Sequence, residues 1–214
     1  MQLLTQLRRV QTQLEALYAL EPAPDVAEFV QLVAADERET LLVRHDEAEG
    51  AVSLRLLLPE RDALPAGLCD HYLQAVEGVS HFVLVAQRAR QQLPTTLLEL
   101  ELQGEVDKFA LLVLDTSLGD PDARAAASQL SANDNDGAAS SPLTLHEVHD
   151  WLFERASYLH PEDSSEGSRY RAANRLAARF WSRLLAADAS TTQQALRRFY
   201  RASPDEKIRL AKAV

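Results

Sequence analysis

Apolar residues recur every three or four positions from the start of the chain. Leu3, Leu7, Val10, Leu14 and Leu17 draw one stripe, the pattern of a helix that buries one face. Residues 2–20 are therefore read as an amphipathic helix. The stripe covers about two and a half heptads, short of the three to four that a coiled coil sustains. It is read first as a helix docked on its own chain, with a partner helix or self-association through Leu3–Leu17 as the alternative. The stretch EPAPD interrupts the pattern. Asp25 then suits the cap of a second helix carrying Val26, Phe29, Val30 and Val33.

The period changes to two further on. Thr40–His45 and Ala51–Leu58 flank the glycine-containing loop DEAEG, and Val52, Leu54, Leu56 and Leu58 fall on alternate positions. This is the signature of a β-hairpin. A lone two-stranded ribbon is marginal in water. It needs a helix to lie on, or more strands, from this chain or from a second subunit.

The longest apolar stretch runs from Cys69 to Asp115. Leu73, Val76, Val79, Phe82 and Val83 repeat at helical spacing; Pro94 and Thr95/Thr96 make a corner, and Leu98, Leu102, Val106, Phe109 and Val113 resume the spacing. A helical hairpin is the preferred reading. The segments LLELEL and FALLVL keep a sheet alternative open for residues 81–115, since periodicity cannot separate a buried strand from a buried helix. Leu, Glu and Gln dominate Thr95–Glu105, and these favour helix.

Residues 117–142 are rich in Ala, Ser, Asn, Asp and Gly, too polar to offset chain entropy by burial, and read as a flexible linker or loop. Helical periodicity then returns. Thr144–Glu147 has the capping-box pattern, and its helix is expected to run past Val148, Trp151, Leu152 and Tyr158 to Pro161. A long helix from about Glu166 to Ala187 follows. STTQ (Ser190–Gln193) and SPDE (Ser203–Glu206) open two more, the last with proline at the first helical position. The fold class is thus mainly α (α+β). Residues 1–116 form an α+β region with the helical hairpin as its core, 117–142 a linker, and 143–214 a C-terminal helical bundle.

Charge adds one feature to this picture. The net charge of −10 disfavours binding to phosphate and anionic lipid surfaces, but it is unevenly placed. Residues 1–149 hold 10 Lys/Arg against 24 Asp/Glu, a balance of −14; residues 150–214 hold 12 against 8, a balance of +4. The basic half is therefore expected to dock on the acidic one. The lone cysteine, Cys69, excludes an internal disulfide and a multi-thiolate metal site, and is read as a buried, inert thiol. No apolar run approaches the length of a membrane span, the N-terminus lacks a signal pattern, and a cytoplasmic location is expected.

Three groups of residues carry candidate chemistry. Glu77 and His81 share a helix face. If the hairpin folds at Pro94, they are expected to meet Glu105 and Lys108, with Gly78 and Gly104 letting the backbones approach. Such a set either binds a divalent metal, pairs a carboxylate with an imidazole for proton transfer, or forms a satisfied polar cluster that sets helix register. His146 and His149 lack the His-Glu-x-x-His spacing of zinc proteases and are read as surface residues; His160 is read as a helix-end residue. Arg171, Arg175, Arg179 and Arg183 form a basic ridge suited to an acidic or phosphate-bearing partner, or to a solvated face. No phosphate loop or nucleophile elbow is present. The expected function is that of a cytoplasmic adaptor or regulatory interaction protein without catalytic residues or cofactor. The alternatives are a metal-dependent enzyme built on Glu77, His81 and Glu105, and nucleic-acid binding through Arg171–Arg183.

Overall fold

A computed structural model describes residues 2–34, 37–46, 51–60, 68–118 and 144–213. Among these are seven α-helices and one three-stranded sheet. In chain order they are α1 (Gln2–Tyr18), β1 (Val30–Val33), β2 (Thr40–Asp46), β3 (Ala51–Pro59), α2 (Leu68–Arg90), α3 (Leu97–Leu118), α4 (Leu145–His149), α5 (Ser165–Ser182), α6 (Ala189–Arg201) and α7 (Pro204–Lys212). The linker expected at 117–142 lies outside the described residues, apart from 117 and 118, which finish α3.

The α2–α3 hairpin is the centre of the fold, and the sheet alternative for 81–115 is overturned. Both helices bury almost every side chain over their middle turns, which explains why their apolar residues run together instead of tracing one stripe. Each partner layer takes one side. The sheet and α1 lie against α2, while α3 packs against α5. Helix α2 stops at a left-handed residue, Gln92 (φ 54°), with the Leu93 amide returning to the Arg88 carbonyl at 2.9 Å. That is the closure of a Schellman motif. At the start of α3 the Thr96 hydroxyl accepts the Glu99 amide at 3.1 Å, so the corner takes the residues that sequence assigned to it.

Helix α1 spends its stripe inside the chain. Leu7, Val10, Leu14 and Tyr18 are buried against α2 and α6, and Leu3 and Leu17 pack at the margin of the same core. It too ends in a left-handed residue, Ala19 (φ 50°). Its last carbonyls are held from the C-terminal bundle: Arg197 donates to Leu17 O at 3.0 Å and Arg201 to Tyr18 O at 2.8 Å.

The second helix expected after Asp25 does not form. Asp25 caps only the 3-10 turn Val26–Glu28, accepting the Ala27 amide at 3.0 Å, and the chain then extends as β1. The β-branched Val30 and Val33 fit a strand better than a helix. β1 also supplies what the hairpin lacked: the sheet order is β1-β3-β2, with β1 parallel to β3 (Val30 beside Leu56) and β2 antiparallel to it (Val43 beside Leu54). Leu56 and Leu58 are buried from this sheet.

In the C-terminal part the Thr144 capping box forms as read, with the Glu147 carboxylate accepting the Thr144 amide at 2.7 Å. Helix α4 then widens into a single π turn, Asp150–Glu154, and ends there, short of Tyr158 and Pro161. The long helix stops at Ser182, not Ala187. The cap of α6 is Asp188, which takes the Ser190 and Thr191 amides, so the STTQ signal places the cap two residues late. Ser203 caps α7 with Pro204 at the first turn. One apolar cluster runs from Leu7 to Ala211, through both halves of the chain. Among the described residues no helix is long and apolar enough to cross a membrane.

Candidate functional site

Two buried polar clusters flank the α2–α3 seam. The first ties helices together. Asp107, 1% exposed, accepts the Tyr18 hydroxyl of α1, the Ser80 hydroxyl of α2 at 2.6 Å and the Gln103 amide at 2.9 Å. Burial raises Asp107 above the usual carboxylate range, against the three donors. Gln103 in turn accepts Lys207 Nζ of α7 at 2.9 Å, and Lys207 lies 3.0 Å from Glu99, which also takes Arg88. Burial pushes Lys207 down to about 8 in spite of its carboxylate partner. Helices α1, α2, α3 and α7 thus each place a polar group in this chain of contacts. Apart from Arg88 Nε and Glu99 Oε2, which find no hydrogen bond, the polar atoms of this network are paired, and such a network suits a role in register.

The second cluster holds the residues that the sequence singled out. Glu77 and His81 do share a face of α2 and do meet α3, Glu77 at the expected Lys108 and His81 with other partners. Lys108 claims the two carboxylates in reach, Glu105 at 2.8 Å and Glu77 at 3.4 Å. His81 is left to two residues that sequence reasoning missed. Its Nδ1 lies 3.5 Å from Glu39 Oε1 and its Nε2 4.0 Å from Glu101 Oε2. Glu101 is held on its other oxygen by Arg169 Nε of α5 at 3.3 Å. One ligand atom each from Glu77, His81 and Glu101 lie within 4.8 Å of one another, so the convergent carboxylate is Glu101 rather than Glu105. Glu101 was legible as the residue one helical turn before Glu105. Glu39 was not, since only the docking of the sheet on α2 brings it there, with its amide fixed to Gln74 Oε1 at 3.1 Å.

The two glycines serve different neighbours. A Cβ on Gly104 would stand 3.2 Å from His81 Nε2 and 3.5 Å from Glu77 Cγ, so this glycine does open the helix seam. A Cβ on Gly78 would meet Leu56 at 2.8 Å and Glu39 Cγ at 2.9 Å. Gly78 therefore admits the sheet, not α3.

Burial and charge oppose each other through the cluster. Burial works against a charged His81, but Glu39, Glu77 and Glu101 together raise it to about 9. Burial also pushes Glu101 up to about 7, against His81 and Arg169, and raises Glu105 in spite of Lys108. For Glu77 the pull of Lys108 and His81 outweighs burial and lowers it. Tyr170, over the same site, is raised to about 12 by burial and by Glu101.

The remaining candidates are dispersed. His149 is buried rather than on the surface, and its Nε2 donates to Ala178 O at 3.0 Å; His146 is exposed. His160 lies in the loop before α5 and stacks on Tyr170 at 5.7 Å, so it ends no helix. Of the arginine ridge, Arg171 donates to His160 O and Gly167 O and lies over the Tyr158 ring. Arg183 donates to Leu210 O and Arg179 O. Only Arg175 and Arg179 present exposed side chains without such tethers in the described contacts, because the winding ridge turns its ends toward the chain's own carbonyls. The side chain of Cys69 falls outside the described residues.

The fold and site define a mainly helical α+β protein with an ionic cluster buried in its central hairpin. No protein-family profile, curated protein or solved structure matches the chain, and its function is argued from its own residues.

Proposed function

We propose that the chain is a non-catalytic interaction protein of the cytoplasm that associates by strand addition, and that the strand it takes is β2 of a second copy. The observation that supports this is the free side of β2. Its seven residues pair only with β3 among the described strands, so a row of backbone donors and acceptors faces outward. Leu42 and Val43, 48% and 38% exposed, flank that row on opposite faces of the sheet. Open edges of this kind template further pairing unless charge, proline or a bulge guards them, and β2, TLLVRHD, contains no proline and carries its charges, Arg44 and Asp46, only in its second half. An antiparallel two-fold centred on Val43 sets Leu42 opposite Arg44 and Thr40 opposite Asp46. No like charges then face each other, as a self-complementary interface requires. The Leu3–Leu17 stripe is less suited to association, because most of it lies in the chain's own core.

Sedimentation equilibrium from micromolar to millimolar chain tests the reading. The expected result is a reversible dimer that becomes a monomer when Leu42 and Val43 are both replaced by lysine, with unchanged helical circular dichroism. A monomer across the whole range, or a dimer indifferent to the two lysines, refutes it.

A further inference from the structure

The second cluster contains ligand-type atoms that the protein leaves without a hydrogen bond. His81 Nε2, Glu101 Oε2 and Glu39 Oε1 are all buried and unpartnered, and the side chains of His81, Glu101 and Glu39 are only 8%, 9% and 8% exposed. Buried polar atoms of native proteins are otherwise paired, and an exception calls for a cause such as an ion. Two of the three residues are oriented by a neighbour. Arg169 holds Glu101 Oε1, which leaves Oε2 toward His81. Glu39 stands at the Nδ1 side of the imidazole, which leaves Nε2 toward Glu101 and Glu77. A carboxylate behind one ring nitrogen and an open second nitrogen is the arrangement by which histidine ligands are oriented on a metal.

Space and charge agree with this. Gly104 is the residue that keeps the room beside Nε2 open, since any Cβ there would crowd it at 3.2 Å. Ligand atoms about 2.0–2.2 Å from one tetrahedral zinc ion lie roughly 3.3–3.6 Å from one another. His81 Nε2 and Glu101 Oε2 lie 4.0 Å apart and the set with Glu77 lies within 4.8 Å, so binding draws the three ligand atoms together by roughly an ångström. With a neutral imidazole, four carboxylates (Glu39, Glu77, Glu101, Glu105) face two cations (Lys108, Arg169). The surplus is −2, the charge that one divalent ion cancels.

We propose that Glu77, His81 and Glu101 bind one divalent transition-metal ion, with Glu39 orienting the imidazole from the sheet. A nitrogen with two carboxylates suits zinc among the borderline metals. The ion would tie α2 to α3 and, through Glu39, to the segment leading into β2. The buried, protein-enclosed position favours a structural or sensing ion. Lys108 is its direct competitor for Glu77, and binding requires that the imidazole give up any proton it holds at Nε2, so zinc uptake releases protons.

The test uses tag-free, chelator-treated full-length protein titrated with zinc sulfate by calorimetry, in two buffers of different ionisation enthalpy. One ion per chain, proton release and a zinc-dependent rise in melting temperature are expected. Affinity should fall at least about tenfold in Glu101→Gln and Glu39→Gln, and further in His81→Gln. Gly104→Ala, which raises helix propensity, should keep the fold and still lose zinc. His146→Gln, an exposed histidine, should bind as the parent does. Binding far below one ion per chain, or binding that survives both Gly104→Ala and Glu101→Gln, overturns the proposal. It does not depend on dimerisation, because all of its residues belong to one chain.

Discussion

Replacing Tyr18 by phenylalanine isolates a single contact of the network that joins α1 to the central hairpin. Tyr18 is fully buried and its hydroxyl donates to Asp107. Its ring stacks on Tyr200 with centroids 4.3 Å apart, and phenylalanine preserves that packing. The lost bond ends on a carboxylate, and hydrogen bonds to charged groups contribute about 1.5–3 kcal/mol. Asp107 keeps Ser80 and Gln103 as donors, and Gln103, which also reaches the Tyr18 oxygen at 3.2 Å, keeps Asp107. No donor is orphaned, so the cost should lie near the middle of the range, about 2 kcal/mol. For a chain of this size that lowers the melting temperature by roughly 4–8 °C. Urea unfolding followed by tryptophan fluorescence measures it, and the midpoint should fall with an unchanged slope. The same substitution made beside Asp107→Asn should cost less by about 1 kcal/mol or more, since contacting residues couple. A loss below about 0.5 kcal/mol, or strict additivity of the two changes, would show that the contact does not anchor α1.

Two further outcomes follow from the same geometry. Gly78→Ala places a methyl 2.8 Å from Leu56 and 2.9 Å from Glu39; overpacking of that kind costs about 1–3 kcal/mol. The loss should appear in chemical denaturation, together with faster amide exchange in β3; a neutral result would mean that the sheet is not seated on α2 at that point. Asp188 titrates below the usual carboxylate range, held there by Thr191 and by the backbone amides it caps. A depressed folded-state value means that its contribution is present above the ordinary carboxylate range and is lost as pH falls through the lowered one. The acid limb of the stability profile should therefore flatten in Asp188→Asn, which caps without titrating; an unchanged acid limb would remove this assignment.

What the sequence determined by itself is local. Spacing of apolar residues sufficed for α1 and the β2–β3 pair, because each repeats a period set by its own backbone, while the α2–α3 hairpin also needed the helix-favouring Leu, Glu and Gln of Thr95–Glu105. Thr144 and Ser203 marked helix starts because a cap is satisfied within one turn of chain. Where two local signals competed, the reading slipped: Asp188 took the cap assigned to Ser190, and Val30–Val33 became a strand once β3 offered backbone partners. The chemistry of the cluster followed the same division. Glu77 and His81 were visible as a pair because four residues separate neighbours on a helix. That Glu101 replaces Glu105 beside the imidazole, while Lys108 takes Glu105 and Glu77, depends on the register of two packed helices. That Glu39 joins them depends on a sheet seated against Gly78. Only tertiary structure decides such contacts, because the groups that meet are held apart along the chain and are brought together by the burial of the apolar faces between them.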